Sequence, residues 1–162
     1  KDIFPSEIDI ENDDHIPRGW SKIRFSEIIE LKYGFPLTVE DREAGDVPVY
    51  GSNGITGYHI ESNVKGPGIV VGRKGNPGTV NWAKEDFFPI DTTFYVEMKN
   101  DSVPMLFVYC ALIYANLPWF AADSAVPGIN RNVILNLSLI LPPKNILDKF
   151  VETVEGFLSK LH

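Results

Sequence analysis

Cysteine and histidine are almost missing from this chain. A single cysteine, Cys110, in 162 residues excludes an internal disulfide. It lies in the apolar run Met105-Leu-Phe-Val-Tyr-Cys-Ala-Leu-Ile-Tyr-Ala115 and is expected to act as a small buried apolar residue in a reducing cytoplasm. That run is the longest apolar one, and it falls far short of the ~20 residues a membrane span requires. No signal peptide opens the chain at Lys1, which is not a native start, so an excised fragment or processed product is expected. There are three histidines, at 15, 59 and 162. A Ser-His-Asp device would have to use His59, and no nucleophile-elbow motif accompanies it. His59 and Glu61 form an H-x-E pair, but no Cys pair follows, so a zinc deaminase site is not supported and His59 is expected in a loop. The glycines at 72, 75 and 78 do not spell a dinucleotide fingerprint, and no phosphate-loop motif occurs. Leu141-Pro-Pro-Lys144 lacks the Asn or Asp that precedes paired prolines in amino-group DNA methyltransferases.

Positive charge is scarce as well. The net charge is −7, whereas a nucleic-acid binder usually carries a basic footprint. The acid is unevenly placed. Residues 1–14 balance at −5, residues 40–46 at −3 and residues 85–101 at −4, while Lys65, Arg73, Lys74 and Lys84 against Glu61 alone give residues 47–84 a balance of +3. Acid is therefore expected to lie away from the first two glycine-rich loops described next.

What the chain does have is three glycine-punctuated loops carrying amide and guanidinium side chains. They are Pro48-Val-Tyr-Gly-Ser-Asn-Gly-Ile-Thr-Gly-Tyr58, Ile69-Val-Val-Gly-Arg-Lys-Gly-Asn-Pro-Gly78 with Thr79-Val-Asn-Trp82 after it, and Ser124-Ala-Val-Pro-Gly-Ile-Asn-Arg-Asn132. Arg and Lys suit guanine, Asn suits adenine, and Ser suits either base. Glycine lets backbone approach a ligand closely. Double-stranded DNA is the best-matching target for such loops.

Short β-branched or aromatic runs separated by Gly, Pro and Asn predict strands at Lys22–Phe25, Val47–Tyr50, Ile69–Arg73, Thr79–Trp82, Thr92–Met98 and Leu137–Leu141, the last of them buried. Ser26 is placed to cap a short helix through Ile28, Ile29 and Leu31. Ser102 and Pro104 announce a helix to about Asn116 that is apolar nearly all round, hence buried. No strand-helix alternation of parallel-sheet type is present, so the fold class is α+β. From Lys144, the residues Leu147, Phe150, Val154, Phe157 and Leu161 recur at spacings of three and four. This is either a coiled-coil start or an amphipathic helix lying on its own domain. Asp91 followed by Glu97-Met-Lys99 imitates a metal-dependent nuclease pattern. One continuous strand between them would hold the carboxylates roughly 20 Å apart, too far to share a metal.

Read in order, Pro17-x-Gly-Trp20, Val49-Tyr-Gly-Ser-Asn-Gly-Ile-x-Gly-Tyr58, Val70-Val-Gly-Arg-Lys-Gly75, Ile90-Asp-Thr-Thr-Phe-Tyr95, Val126-Pro-Gly-Ile-Asn-Arg131 and Leu141-Pro-Pro143 resemble target recognition domains of type I restriction–modification specificity subunits. Six motifs in register make the combination specific. The resemblance implies a non-catalytic DNA reader with a mostly antiparallel, curved β-sheet and a buried helix, followed by the start of a long coiled-coil-type helix. It implies an acidic arm at 1–16, a recognition domain at 17–143 and a helical spacer from 144 to 162. It further implies one half of a bipartite target, methyltransferase and motor-nuclease partner subunits, and a second recognition domain reached through the C-terminal helix. This chain would carry no cofactor or metal, the S-adenosylmethionine, ATP and Mg2+ belonging to partners. The resemblance departs in one respect, since this chain holds one such domain and a short piece of helix.

Candidate readers are Ser52, Asn53, Arg73, Lys74, Asn76, Asn81, Lys84, Asn130 and Arg131. Arg73 suits a guanine, and Lys74 or Lys84 a phosphate. Ser52 and Asn53 are equally ordinary turn residues. Asn130 and Arg131 open a short helix, whose N-terminal amides suit a phosphate or which Asn130 simply caps. Tyr58 and Trp82 either flank a groove or belong to the core. Two other readings stand beside this one: the recognition domain of a single-chain restriction–modification enzyme, and a protein- or glycan-binding interaction module.

Overall fold

The computed structural model describes residues 16–122 and 125–161. The expected acidic arm lies outside this range except for Ile16, and so does Ser124 of the third loop.

The strands form three sheets rather than one. β1 (Ser21–Arg24) pairs antiparallel with β9 (Ser138–Leu141). The central sheet has the order β2 (Ile29–Tyr33), β8 (Thr93–Met98), β5 (Gly68–Gly72), β6 (Val80–Ala83), with every pairing antiparallel. In the third sheet, β3 (Val47–Gly51) lies between β4 (Gly54–His59) and the short β7 (Phe88–Pro89). The β3–β7 pairing is parallel, the one departure among named strands from an otherwise antiparallel plan. Four helices follow: α1 (Met105–Tyr114), α2 (Pro118–Ala121), α3 (Arg131–Asn136) and α4 (Lys144–Lys160).

β5 explains the layering. All five of its residues are buried, because both faces of the central sheet are covered. Ile69 and Val71 join Phe94, Val96, Phe107, Leu112 and Ile134 in the main core, under α1, α3 and α4. Val70, between them, points to the other face, with Tyr50, Ala83 and Phe87. Strand alternation thus binds two cores through one strand. Trp82 is half-buried and packs edge-on against Tyr109 of α1, at 5.5 Å between ring centroids. It is therefore a core-side residue, whereas Tyr58 is 55% exposed.

Several expectations are corrected here. The segment after Ser26 is not a helix. A single 3-10 turn, Phe25–Glu27, is closed by the Arg24 amide donating to Glu27 Oε2 at 2.6 Å, and β2 follows. Ile29 and Leu31 are buried on one face, while Glu30 and Lys32 form an ion pair of 2.7 Å beside them, so period two prevails once β8 supplies a partner. β9 is half-buried, with β1 its one pairing strand among the described residues. Cys110 is half-buried, not fully enclosed, and burial raises its thiol above the usual value. His59 is buried at the end of β4, where Nδ1 accepts a 3.0 Å hydrogen bond from the Glu43 amide and the ring meets Phe88 edge-on. It is a packing residue, not a loop one.

The apolar seam of α4 divides in two. Leu147 and Phe150 are buried, Phe150 against Phe107 edge-to-face at 5.7 Å, and Val154 is half-buried on the same core. Phe157 and Leu161 are 64% and 78% exposed. The helix therefore lies on its own domain for its first half, and Leu147 and Phe150 are not available to a partner helix. Among the described residues, no helix is long and apolar enough to cross a membrane.

Candidate nucleic-acid interface

Strand polarity places the loops together. β2 ends at Tyr33, β3 at Gly51 and β5 at Gly72, while β4, β6 and β8 begin at Gly54, Val80 and Thr93. The register Gly51↔Gly54, Gly72↔Thr93 and Tyr33↔Phe94 puts the connecting residues at one end of two sheets. Much of the first loop is strand: only Ser52 and Asn53 turn between β3 and β4.

The loops are joined to each other by hydrogen bonds. Asn76 Nδ2 donates to Asn53 Oδ1 at 2.8 Å, and the Asn76 amide donates to Ser52 Oγ at 3.3 Å. Thr79 Oγ1 donates to the Ser52 carbonyl. Close contact needs a missing side chain at Gly72: a Cβ there would lie 2.3 Å from the Asn76 carbonyl oxygen and 2.4 Å from Thr79 Oγ1. Gly78 adopts φ +87° against the backbone of Leu117 and Pro118, a conformation and a closeness that exclude other residues. The second loop meets the third through a bridge between Lys74 and Gly128, and the Ile129 amide donates to the Arg73 carbonyl at 3.1 Å.

Two guanidiniums converge on one ring. Arg73 Cζ lies 5.2 Å and Arg131 Cζ 4.7 Å from the centroid of Tyr33. Arg73 Nε donates to the Asp91 carbonyl at 3.1 Å, with Nη2 on the same oxygen, and Arg131 Nη1 donates to the Leu31 carbonyl at 3.2 Å. Lys74 is exposed alongside. Tyr33, Phe94, Arg73, Lys74, Pro127 and Arg131 line part of a cleft of about 300 Å³. Of the ion pairs seen among the described residues, Lys144–Asp148 lies elsewhere, whereas Lys32–Glu30 flanks the Leu31 carbonyl that Arg131 binds. Lys32, with a smaller contribution from Arg131, holds the Glu30 carboxyl below its usual value.

The candidates therefore sort by position. Arg73, Lys74, Asn53, Asn76 and Arg131 share the rim. Ser52 is 8% exposed and serves as the tie between loops rather than facing outward. Asn130 is an N-cap: its Oδ1 accepts the Asn132 amide at 2.8 Å. Asn81 is half-buried in β6, its Oδ1 3.5 Å from where a Cβ on Gly54 would sit. Lys84 follows the opposite end of β6, next to the Gly68↔Ala83 pair, roughly a strand length of 13 Å from the rim. It does not belong to the cluster. The acidic segment 40–46 is also closer than expected. It packs along β4, with Arg42 Nη1 donating to the Thr56 carbonyl at 3.0 Å, although it stays short of the Ser52–Asn53 turn.

Reading the sequence missed Tyr33. Its signal was the alternation Ile29-x-Leu31-x-Tyr33 before Gly34, hidden by assigning a helix there. Burial raises the Tyr50 and Tyr109 hydroxyls as it does the Cys110 thiol, and all three lie in or beside the core. Among the described residues, no group of three or more His, Cys, Asp or Glu side chains is placed to hold a metal ion.

The α+β fold matches solved proteins. It superposes on the S subunit of a type I restriction-modification system from M. genitalium with a TM-score of 0.71 at 22% identity, over 89% of this chain and 43% of that one. The HsdS subunit from Thermoanaerobacter tengcongensis gives 0.65 at 15% identity, over 90% and 39%. In sequence, the Escherichia coli type I restriction enzyme EcoprrI specificity subunit is 28% identical over 137 residues, which is 76% of this chain and 34% of the relative. The family of type I restriction modification DNA specificity domains matches residues 17–162, and the chain belongs to it. It spans less than half the length of each of these relatives.

Proposed function

We propose that this domain reads one half of a bipartite duplex target within a type I restriction–modification complex and performs no chemistry itself. The observation that carries this reading is the interlocking of three loops from distant sequence into one rim that gathers Arg73, Lys74, Asn53, Asn76 and Arg131. A rigid rim of donors suits base edges, because little side-chain entropy is lost when the duplex arrives. Arg73 and Arg131 have the fork geometry for guanine, Asn53 and Asn76 the amides for adenine, and Lys74 a charge for phosphate. The exposed end of α4, with Phe157 and Leu161, is the apolar face offered to a helix of a second recognition domain. Methylation, translocation and cleavage, with S-adenosylmethionine, ATP and Mg2+, reside in methyltransferase and motor-nuclease subunits.

Selection of bound duplexes from a randomised pool, followed by affinity measurement at several salt concentrations, tests the proposal. One enriched half-site and a steep loss of affinity with salt are expected. No enrichment together with flat salt dependence overturns it.

A further inference from the structure

Tyr33 stands on β2, yet its ring receives a guanidinium from the loop after β5 and another from the start of α3. We infer that Tyr33 is a positioning residue that sets Arg73 and Arg131 in a shared reading pose, directing both toward guanines of the half-site. The inference rests on the DNA-reading function proposed above and adds which residue aims the arginines and which base they select.

Gathering two like charges in one cleft costs free energy unless something offsets the repulsion. Neither arginine has a carboxylate within ion-pair distance among the described residues. The offset comes from the negative face of the Tyr33 ring, from two backbone carbonyls, Asp91 for Arg73 and Leu31 for Arg131, and, for Arg131, from the nearby Glu30 carboxylate, which lies beyond ion-pair distance. The ring is itself held. Phe94 contacts it at 5.4 Å between centroids, and Tyr33 is half exposed, so one part packs on the core while the rest meets the cleft. A guanidinium has five N–H donors. Arg73 commits Nε and Nη2 to Asp91, and Arg131 commits Nη1 to Leu31, so each keeps further donors for an acceptor in the cleft. Guanine, with O6 and N7 side by side, is the base whose major-groove edge matches such donors.

The test compares the parent chain with Tyr33→Phe and Tyr33→Leu; phenylalanine keeps the π face, and leucine keeps bulk against Phe94 without one. In the free chain, arginine Nε–Hε NMR signals of Arg73 and Arg131 are expected to carry ring-current shifts. Phenylalanine should preserve both shifts, and leucine should abolish both. In duplex selection, the leucine variant should lose tenfold or more discrimination at two G·C positions, the same ones lost singly in Arg73→Ala and Arg131→Ala. Its salt dependence should match the parent. Unchanged arginine signals in the leucine variant, or shifted signals with both guanine preferences intact, overturn the inference. If the parent selects no duplex, the DNA-reading function fails, whereas the NMR comparison still decides whether Tyr33 sets the pose. Tyr33→Gln asks the same question should the leucine variant not fold.

Discussion

Gly72→Ala introduces one methyl group where two loops meet, so it isolates the contact on which the rim depends. The φ of Gly72 is not in the left-handed region, so the penalty is steric. The new Cβ would stand 2.3 Å from the Asn76 carbonyl oxygen, 2.4 Å from Thr79 Oγ1 and 3.1 Å from Ser52 Cβ. Relief requires the Asn76 carbonyl to withdraw by about 1 Å. That oxygen is not free to move alone. It accepts Thr79 Oγ1 at 3.1 Å, and the turn is held by the Gly72 amide donating to Thr79 at 2.9 Å and the Gly78 amide donating to Gly72 at 2.8 Å. Overpacking at such a site costs roughly 1–3 kcal/mol. For a chain of this size that lowers the melting temperature by about 3–10 °C. Circular-dichroism melting reads the stability, and the ratio of specific to non-specific duplex affinity reads the function. The ratio should fall, since Asn76 parts from Ser52 and Asn53. Gly156→Ala is the control: its Cβ meets nothing within 4 Å on α4, and removing a helical glycine should stabilise by roughly 0.5–1 kcal/mol. A Gly72→Ala protein that melts within about 1 °C of its parent and discriminates equally well would refute the reasoning.

Arg73→Ala should lose about 1–3 kcal/mol of discrimination at one base position, measured by competition between duplexes, whereas Lys84→Ala, remote from the rim, should leave base preference unchanged. Phe150→Ala should cost about 3–5 kcal/mol in urea unfolding, because its ring is buried against Phe107. Phe157→Ala, on the exposed half of the same seam, should stay within about 0.5 kcal/mol, and equal losses at both would contradict the divided helix. Asn130→Ala removes the cap of α3 and should cost about 1 kcal/mol, seen as a lower unfolding midpoint. Cys110 should react with thiol reagents only at pH above the ordinary thiol range, as burial favours its neutral form. The sign for stability follows: the unfolded chain releases this proton first, so stability falls as pH rises past the ordinary thiol value, checked by alkaline melts of the parent against Cys110→Ala.

Local chemistry carried much of this protein in the sequence itself. Turn residues and β-branched runs marked β3, β5, β6 and β8, proline and apolarity marked α1, and glycine spacing with Arg73, Asn76 and Arg131 marked the loops. These are properties of a residue and its neighbours, so order along the chain suffices to read them. Tertiary structure alone decided where period two would defeat a helix at Ile29–Tyr33, because strand β8 is needed to reward it. It also decided that Lys84 lies beyond the far end of β6, that Ser52 is buried where it ties two loops, and that Leu147 and Phe150 serve their own core. Above all it brought Tyr33 beneath two arginines from distant segments. Such a meeting depends on strand pairing across the chain, and no run of neighbouring residues encodes it.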